Sequence, residues 1–236
     1  TTLTIETERS RTIDNEDVAE KEKSADFADT RKRMLGLDGK NTLWVAGSTH
    51  SGEEEIILRV YKKLLVEFPN LKLLIAPRHP ERAKDVEMVV LNCGLSSVFI
   101  SKLRETIDEG SFDAAQGKRG TTVFILDTIG QLKDFYAVSD IVFVGGSLIK
   151  KGGQNILEPA ALAKPIVCGP YMFNFRDIIA LFLKNEACIT AHNKEELLKN
   201  MTDLLRDSKK TGALGARAKE LIARNQGATM KNMEYI

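Results

Sequence analysis

From Asn41 onward the chain alternates short apolar runs, rich in β-branched residues, with longer segments of helical periodicity, and few folds accept that rhythm. The runs fall at 43–46, 71–76, 98–100, 123–126, 141–144, 166–168 and 188–190. Apolar runs without a polar alternate belong to strands buried on both faces, as in a parallel sheet covered by helices. Between the first two runs, Ile56, Ile57, Val60, Tyr61, Leu64, Leu65 and Phe68 recur with the 3.6-residue period of an amphipathic helix. Ser51 and Glu54 have the spacing of a capping box at its start. Further helical patterns cover 81–91, 131–138, 156–163, 175–184, 194–206 and 214–224. The expected fold is α/β, a Rossmann-like doubly wound parallel sheet. Residues 101–121 are polar and read as an irregular connection, and no internal repeat is visible.

The 236 residues divide unevenly under this reading. Residues 1–25 hold charges of both signs and almost no large apolar side chains, so they read as a polar, disordered tether or remnant. Residues 26–40 read as a short helix, edged by Phe27, Met34, Leu35 and Leu37, and a linker; the Rossmann-like domain occupies 41–236. Lys+Arg 34 against Asp+Glu 33 leaves a formal charge of +1, which lacks the positive excess of a protein built to bind nucleic-acid backbone. No run approaches the roughly 18 apolar residues of a membrane span, and no signal peptide opens the chain, so a soluble chain is expected. Cys93, Cys168 and Cys188 lack pair spacing, which suits a reducing cytoplasm and argues against a disulfide frame or a zinc site.

In open parallel sheets ligands bind beyond the carboxyl ends of the strands. The first strand runs into Gly47-Ser48-Thr49-His50-Ser51-Gly52, small residues opening a helix whose N–H groups attract anions. The second runs into Pro77-Arg78-His79-Pro80-Glu81-Arg82, which puts a guanidinium at the rim where it can grip phosphate. The fourth leads to Asp127-Thr128-Ile129-Gly130-Gln131, and the sixth to Gly169-Pro170 with Asn174-Phe175 beyond. The fifth leads to Gly145-Gly146-Ser147, then Gly152-Gly153-Gln154-Asn155 and Ile156-Leu157-Glu158-Pro159. Pro159 is tolerated only near a helix start, so a helix begins close to Asn155. Glu158 then lies in its first turn, where a carboxylate meets ribose hydroxyls. Together these describe a nucleotide–phosphate pocket.

Each feature also has a plainer reading. The glycine pairs serve equally as tight turns, Asn155 as a simple cap, Arg78 as a surface ion pair, and His50 and His79 as structural residues. Ser48, Thr49 and His50 lack the G-x-S-x-G elbow of a hydrolase, and no Cys, His and carboxylate spacing forms a metal cage.

Six motifs in order resemble the C-terminal half of the Kdo (3-deoxy-D-manno-octulosonic acid) transferase family of lipid A assembly. They are Val45 to His50, Pro77 to Arg82, Asp127 to Gly130, Phe143 to Leu148, Gly152 to Ala160, and Gly169-Pro170 with Asn174-Phe175. The resemblance implies the C-terminal lobe of a GT-B glycosyltransferase, with CMP-Kdo as donor substrate and no cofactor or metal. Carried over, the CMP contacts are Pro77, Arg78, Ile129, Gly130, Gln131, Asn155, Ile156, Leu157 and Glu158. Ser48, Thr49, Gly146 and Ser147 are secondary contacts to sugar or phosphate, and Arg78 supports the leaving group. Ser51-Gly52 stands where the family has Glu-Gly, Gln131 where Glu is expected and Gln154 where His is expected. The resemblance places the catalytic carboxylate, the lipid A precursor site and the membrane anchor in an N-terminal lobe. It implies work at the cytoplasmic face of the bacterial inner membrane, and a chain inactive by itself. A UDP-sugar transferase or epimerase of the same architecture, or a non-enzymatic nucleotide-binding partner domain, are the alternatives.

Overall fold

The computed structural model describes residues 28–103 and 122–233, with side chains of the last helix described to 225. The strands are β1 (Thr42–Thr49), β2 (Leu71–Pro77), β3 (Ser96–Phe99), β4 (Thr122–Ile125), β5 (Ile141–Val144), β6 (Ile166–Cys168) and β7 (Ile189–Thr190). They form one sheet in the order β3-β4-β2-β1-β5-β6-β7, with every pairing parallel. The helices are α1 (28–34), α2 (Glu53–Leu64), α3 (Ala83–Asn92), α4 (described over 100–103), α5 (Leu132–Val138), α6 (Leu157–Ala161), α7 (Arg176–Lys184), α8 (Lys194–Arg206) and α9 (Ser208–Met233).

Alternation along each strand splits the core in two. Leu43, Val45, Leu74, Phe124, Val142 and Val144 face the side covered by α1, α5, α6, α7 and α9. Trp44, Ala46, Leu73, Ile75, Val123 and Phe143 face α2, α3 and α8. Both faces of β1 are therefore dry, which is why its sequence shows no polar alternate. Asp140 fixes the register at the amino end: its Oδ2 accepts the Leu43 N–H at 2.7 Å, and its own N–H donates to the Leu43 carbonyl at 2.9 Å. The strand order reverses at β1 and β5, so the ligand crevice of such a sheet opens beyond Thr49 and Val144.

The structure corrects several expectations. The capping box does not form: Gly52, at φ 94°, is the N-cap of α2 without a side-chain cap, and Glu54 bonds elsewhere. The helix expected over 156–163 is only α6, because Ala163 turns left-handed at φ 55°. The helix expected over 214–224 is the longer α9, whose first turn is tied by Asp207 accepting the Lys210 N–H at 2.9 Å. Its Gly215 lies so near α6 that an added Cβ would stand 2.0 Å from the Ala163 carbonyl oxygen. The short helix expected before the linker does form, as α1, and it also joins the core: Met34 and Leu35 are buried, and Arg31 pairs with Asp134 at 3.1 Å over the Phe135 ring. The tether expected at 1–25 and most of the connection at 101–121 lie outside the described residues.

Candidate functional site

At the switch point the loops after β1 and β5 touch backbone to backbone. The Gly145 N–H donates to the Gly47 carbonyl at 2.8 Å, and a Cβ on Gly145 would stand 2.4 Å from the Ser48 carbonyl oxygen. Glu53, fully buried in the first turn of α2, locks the two loops together. Its Oε2 accepts the N–H of His50 at 3.0 Å and of Gly146 at 2.7 Å, while its Oε1 accepts those of Ser147 and Leu148, both at 2.9 Å. Burial raises the Glu53 pKa above the ordinary carboxylate value, against the pull of those four N–H groups. Glu54 beside it is buried too, accepting from the Thr49 hydroxyl at 3.1 Å and from Arg82 at 3.0 Å.

This arrangement decides against the helix start after β1 as an anion site. Its first turn carries Glu53, Glu54 and Glu55, and Glu53 already takes the loop N–H groups. Thr49, Gly146 and Ser147 are likewise engaged by the protein. The Ser147 hydroxyl donates to the Val144 carbonyl and accepts the Gly169 N–H at 2.7 Å. These three residues and the buried Ile156 are thus floor rather than wall.

The wall is a cleft of about 320 Å³ beyond β2 and β4. Ser48, Pro77, Arg78, His79, Thr128, Ile129 and Gly130 line it, so strand ends far apart in sequence meet there. Ser48 is left-handed at φ 56°. The backbone N–H of Arg78 is held by the Thr49 carbonyl at 2.9 Å, while its exposed guanidinium has no acidic partner among the described residues. Ile129 is 85% exposed beside Gly130, whose φ of 82° permits the turn; such an apolar face at the mouth of a polar cleft suits a flat ring. Gln131 stands at the N-cap of α5, and its Oε1 is buried without a protein donor.

The loop from β5 to α6 forms the other side of the rim. Gly152 and Gly153 are left-handed, and the Gly153 N–H donates to the Gly146 carbonyl at 2.8 Å. Asn155 Oδ1 accepts the Leu157 N–H at 2.9 Å and its Nδ2 donates to Glu158 Oε1 at 3.3 Å, but the N-cap of α6 is Ile156, without a side-chain cap, so the helix starts one residue later than expected, with Pro159 in its first turn. Leu157 and Glu158 face solvent. Burial, and then the negative charge of Glu158, push the Tyr136 phenol upward. Gln154 Nε2 lies 3.3 Å from His50 Nε2, and the His50 and His79 rings meet edge-on at 6.1 Å, a line running from the α6 loop towards Arg78. Burial and the positive charges of His79, Lys151, Arg82 and Arg78 hold the His50 pKa below its ordinary value. The rim is electropositive and suited to anions.

Sequence reasoning passed over Glu53, since three glutamates at a helix start read as complements of the helix dipole. Among the described residues no three His, Cys, Asp or Glu side chains gather as a metal cage requires, and no helix is long and apolar enough to cross a membrane.

No family model matches the chain. Over 195 residues it is 34% identical to the 3-deoxy-D-manno-octulosonic acid transferase of Haemophilus influenzae, covering 82% of this chain and 43% of the relative. The protein of the same name from Aquifex aeolicus is 35% identical over 170 residues, 72% of this chain and 44% of the relative. The chain thus spans less than half the length of these curated relatives. Among solved structures, it superposes on the C-terminal CMP-Kdo binding domain of WaaA from Acinetobacter baumannii with a TM-score of 0.72 and 30% identity, over 83% of this chain and 95% of that one. With this fold and these rim motifs, the chain belongs to the 3-deoxy-D-manno-octulosonic acid transferase family and corresponds to its C-terminal domain.

Proposed function

We propose that this domain binds CMP-Kdo at the carboxyl rim of its sheet and serves transfer of Kdo to a lipid A precursor. Pro77, Arg78, Ile129 and Gly130 supply the cleft for CMP, Gln131 sits behind it, and Asn155, Leu157 and Glu158 close the ribose side over the buried Ile156. In the reaction an acceptor hydroxyl attacks the anomeric carbon with inversion, and the bond from that carbon to the phosphate oxygen breaks with its electron pair leaving on CMP. The Arg78 guanidinium meets that growing charge as a preorganised donor. The family resemblance assigns the base that takes the hydroxyl proton, the acceptor site and attachment to the inner membrane to the remainder of the relatives' length.

The observation that carries this reading is the exposed guanidinium of Arg78, beside the cleft and without an acidic partner among the described residues. A guanidinium presents two parallel N–H donors to phosphate, whereas a lysine presents a mobile point charge. The affinity gap between CMP and cytidine should therefore shrink from wild type to Arg78→Lys to Arg78→Ala, with cytidine itself little changed. Calorimetric titration checks this, and a gap that survives intact in Arg78→Ala removes Arg78 from the phosphate.

A further inference from the structure

The rim around His50 carries more positive charge than the described residues neutralise. Arg82 is paired with Glu54 at 3.0 Å, and His79 lies 3.6 Å from Glu81. Glu53 spends both oxygens on backbone N–H groups. Arg78 and Lys151 are left without an acidic partner among the described residues, and the positive charge of each acts on the imidazole. Arg78 belongs to the β2 side, next to His79. Lys151 belongs to the α6 side, immediately before the Gly152-Gly153 turn that brings Gln154 to 3.3 Å from His50.

The Lys151 backbone is held in place. Its N–H donates to the Ile149 carbonyl at 2.7 Å, and its carbonyl accepts from Asn174 Nδ2 at 3.4 Å. Its neighbour Lys150 is directed elsewhere, 5.9 Å over the Tyr171 ring. Gln154 Nε2 stands 3.3 Å from His50 Nε2, so the amide meets the imidazole from the α6 side of the rim and His79 from the β2 side. Two unneutralised cations, one on the β2 side of the rim and one on the α6 side, suit a ligand with two separate anionic groups. A single phosphate satisfies only one of them.

An octulosonic acid donor has that second anion, because its carboxylate sits on the same anomeric carbon that bears the phosphate. We propose that Lys151 is a specificity residue, holding the carboxylate of the donor sugar while Arg78 takes the phosphate, with His50 and Gln154 as the polar wall between them. This assignment rests on the CMP-Kdo reading and adds to it an expected preference for a CMP-linked sugar that carries a carboxylate.

The test uses the whole chain and a fluorescent CMP reporter displaced by CMP-Kdo or by its C1 methyl ester, which keeps the phosphate and loses the second charge. Wild type should prefer the acid over the ester by about tenfold, the scale of one hydrogen bond to a charged group. Lys151→Ala should bring that ratio to within about twofold, the size of an ordinary surface change, while Lys151→Arg and Lys150→Ala retain the preference. Because acid and ester are compared on the same protein, a change of fold does not imitate the result. A ratio unchanged in Lys151→Ala overturns the assignment, and so does a wild type that binds CMP without preferring the acid. A wild type from which CMP itself displaces no reporter overturns the CMP-Kdo reading instead.

Discussion

Glu53 shows how much of this site depends on one side chain that touches no ligand in the proposed scheme. Its two oxygens satisfy four N–H groups from two loops, so an amide there would turn an NH2 group towards two of those donors. Glu53→Gln should cost about 2–4 kcal/mol of stability, because buried donors left unpaired carry most of their desolvation penalty. Urea unfolding measures this. The exposed Glu55, in an i,i+4 pair with Arg59, is the control, and Glu55→Gln should stay within about 0.5 kcal/mol. At this scale the sequence was partly legible. Arg78, Ile129 and Gly130 stand out because residue type and position after a strand coincide. Thr49, Ser147 and Ile156 carry the same signals yet are buried, since which of several adjacent small residues faces outward is set by loop geometry. Glu53 was not legible, because its partners at 146–148 come from a different strand end.

At the scale of elements, α1 departs furthest from what its sequence suggests. Its narrow apolar edge reads as that of a short helix, which forms, but the depth of its packing was not legible: Met34 at its end and Leu35 just beyond are buried with Leu43, Phe135 and Tyr136 in the same cluster. Leu35→Ala should lower stability by about 2–5 kcal/mol, the range for a buried leucine truncated to alanine. A loss below about 0.5 kcal/mol, within the scatter of surface substitutions, would mean that the end of α1 is only loosely held. The strands were legible because their runs are short, apolar and separated by clear helical periods. Helix ends were less so. Gly52 in place of Ser51 as the cap of α2, and Ala163 as the stop after α6, are outcomes of tertiary packing, not of local preference. Cys168 and Cys188 likewise show no pair spacing in sequence but are brought near one another where β6 meets β7.

For the molecule as a whole, the all-parallel sheet follows from the rhythm of buried runs, so the carboxyl rim was readable as the place for a ligand, whereas the reversal between β1 and β5 that opens the crevice came only with the structure. The identity of the nucleotide was not, because neither an apolar face at Ile129 nor a cation at Arg78 distinguishes one pyrimidine from another. The family motifs carry that part of the account. Its central claim is that the rim accepts a cytidine monophosphate whose sugar is Kdo. The most direct measurement is a calorimetric titration of the chain with CMP, UMP and UDP under identical salt and pH. The account predicts that CMP binds at least about tenfold more tightly than either uridine nucleotide, the difference of roughly one well-placed hydrogen bond to the base. UDP binding as tightly as CMP would contradict it.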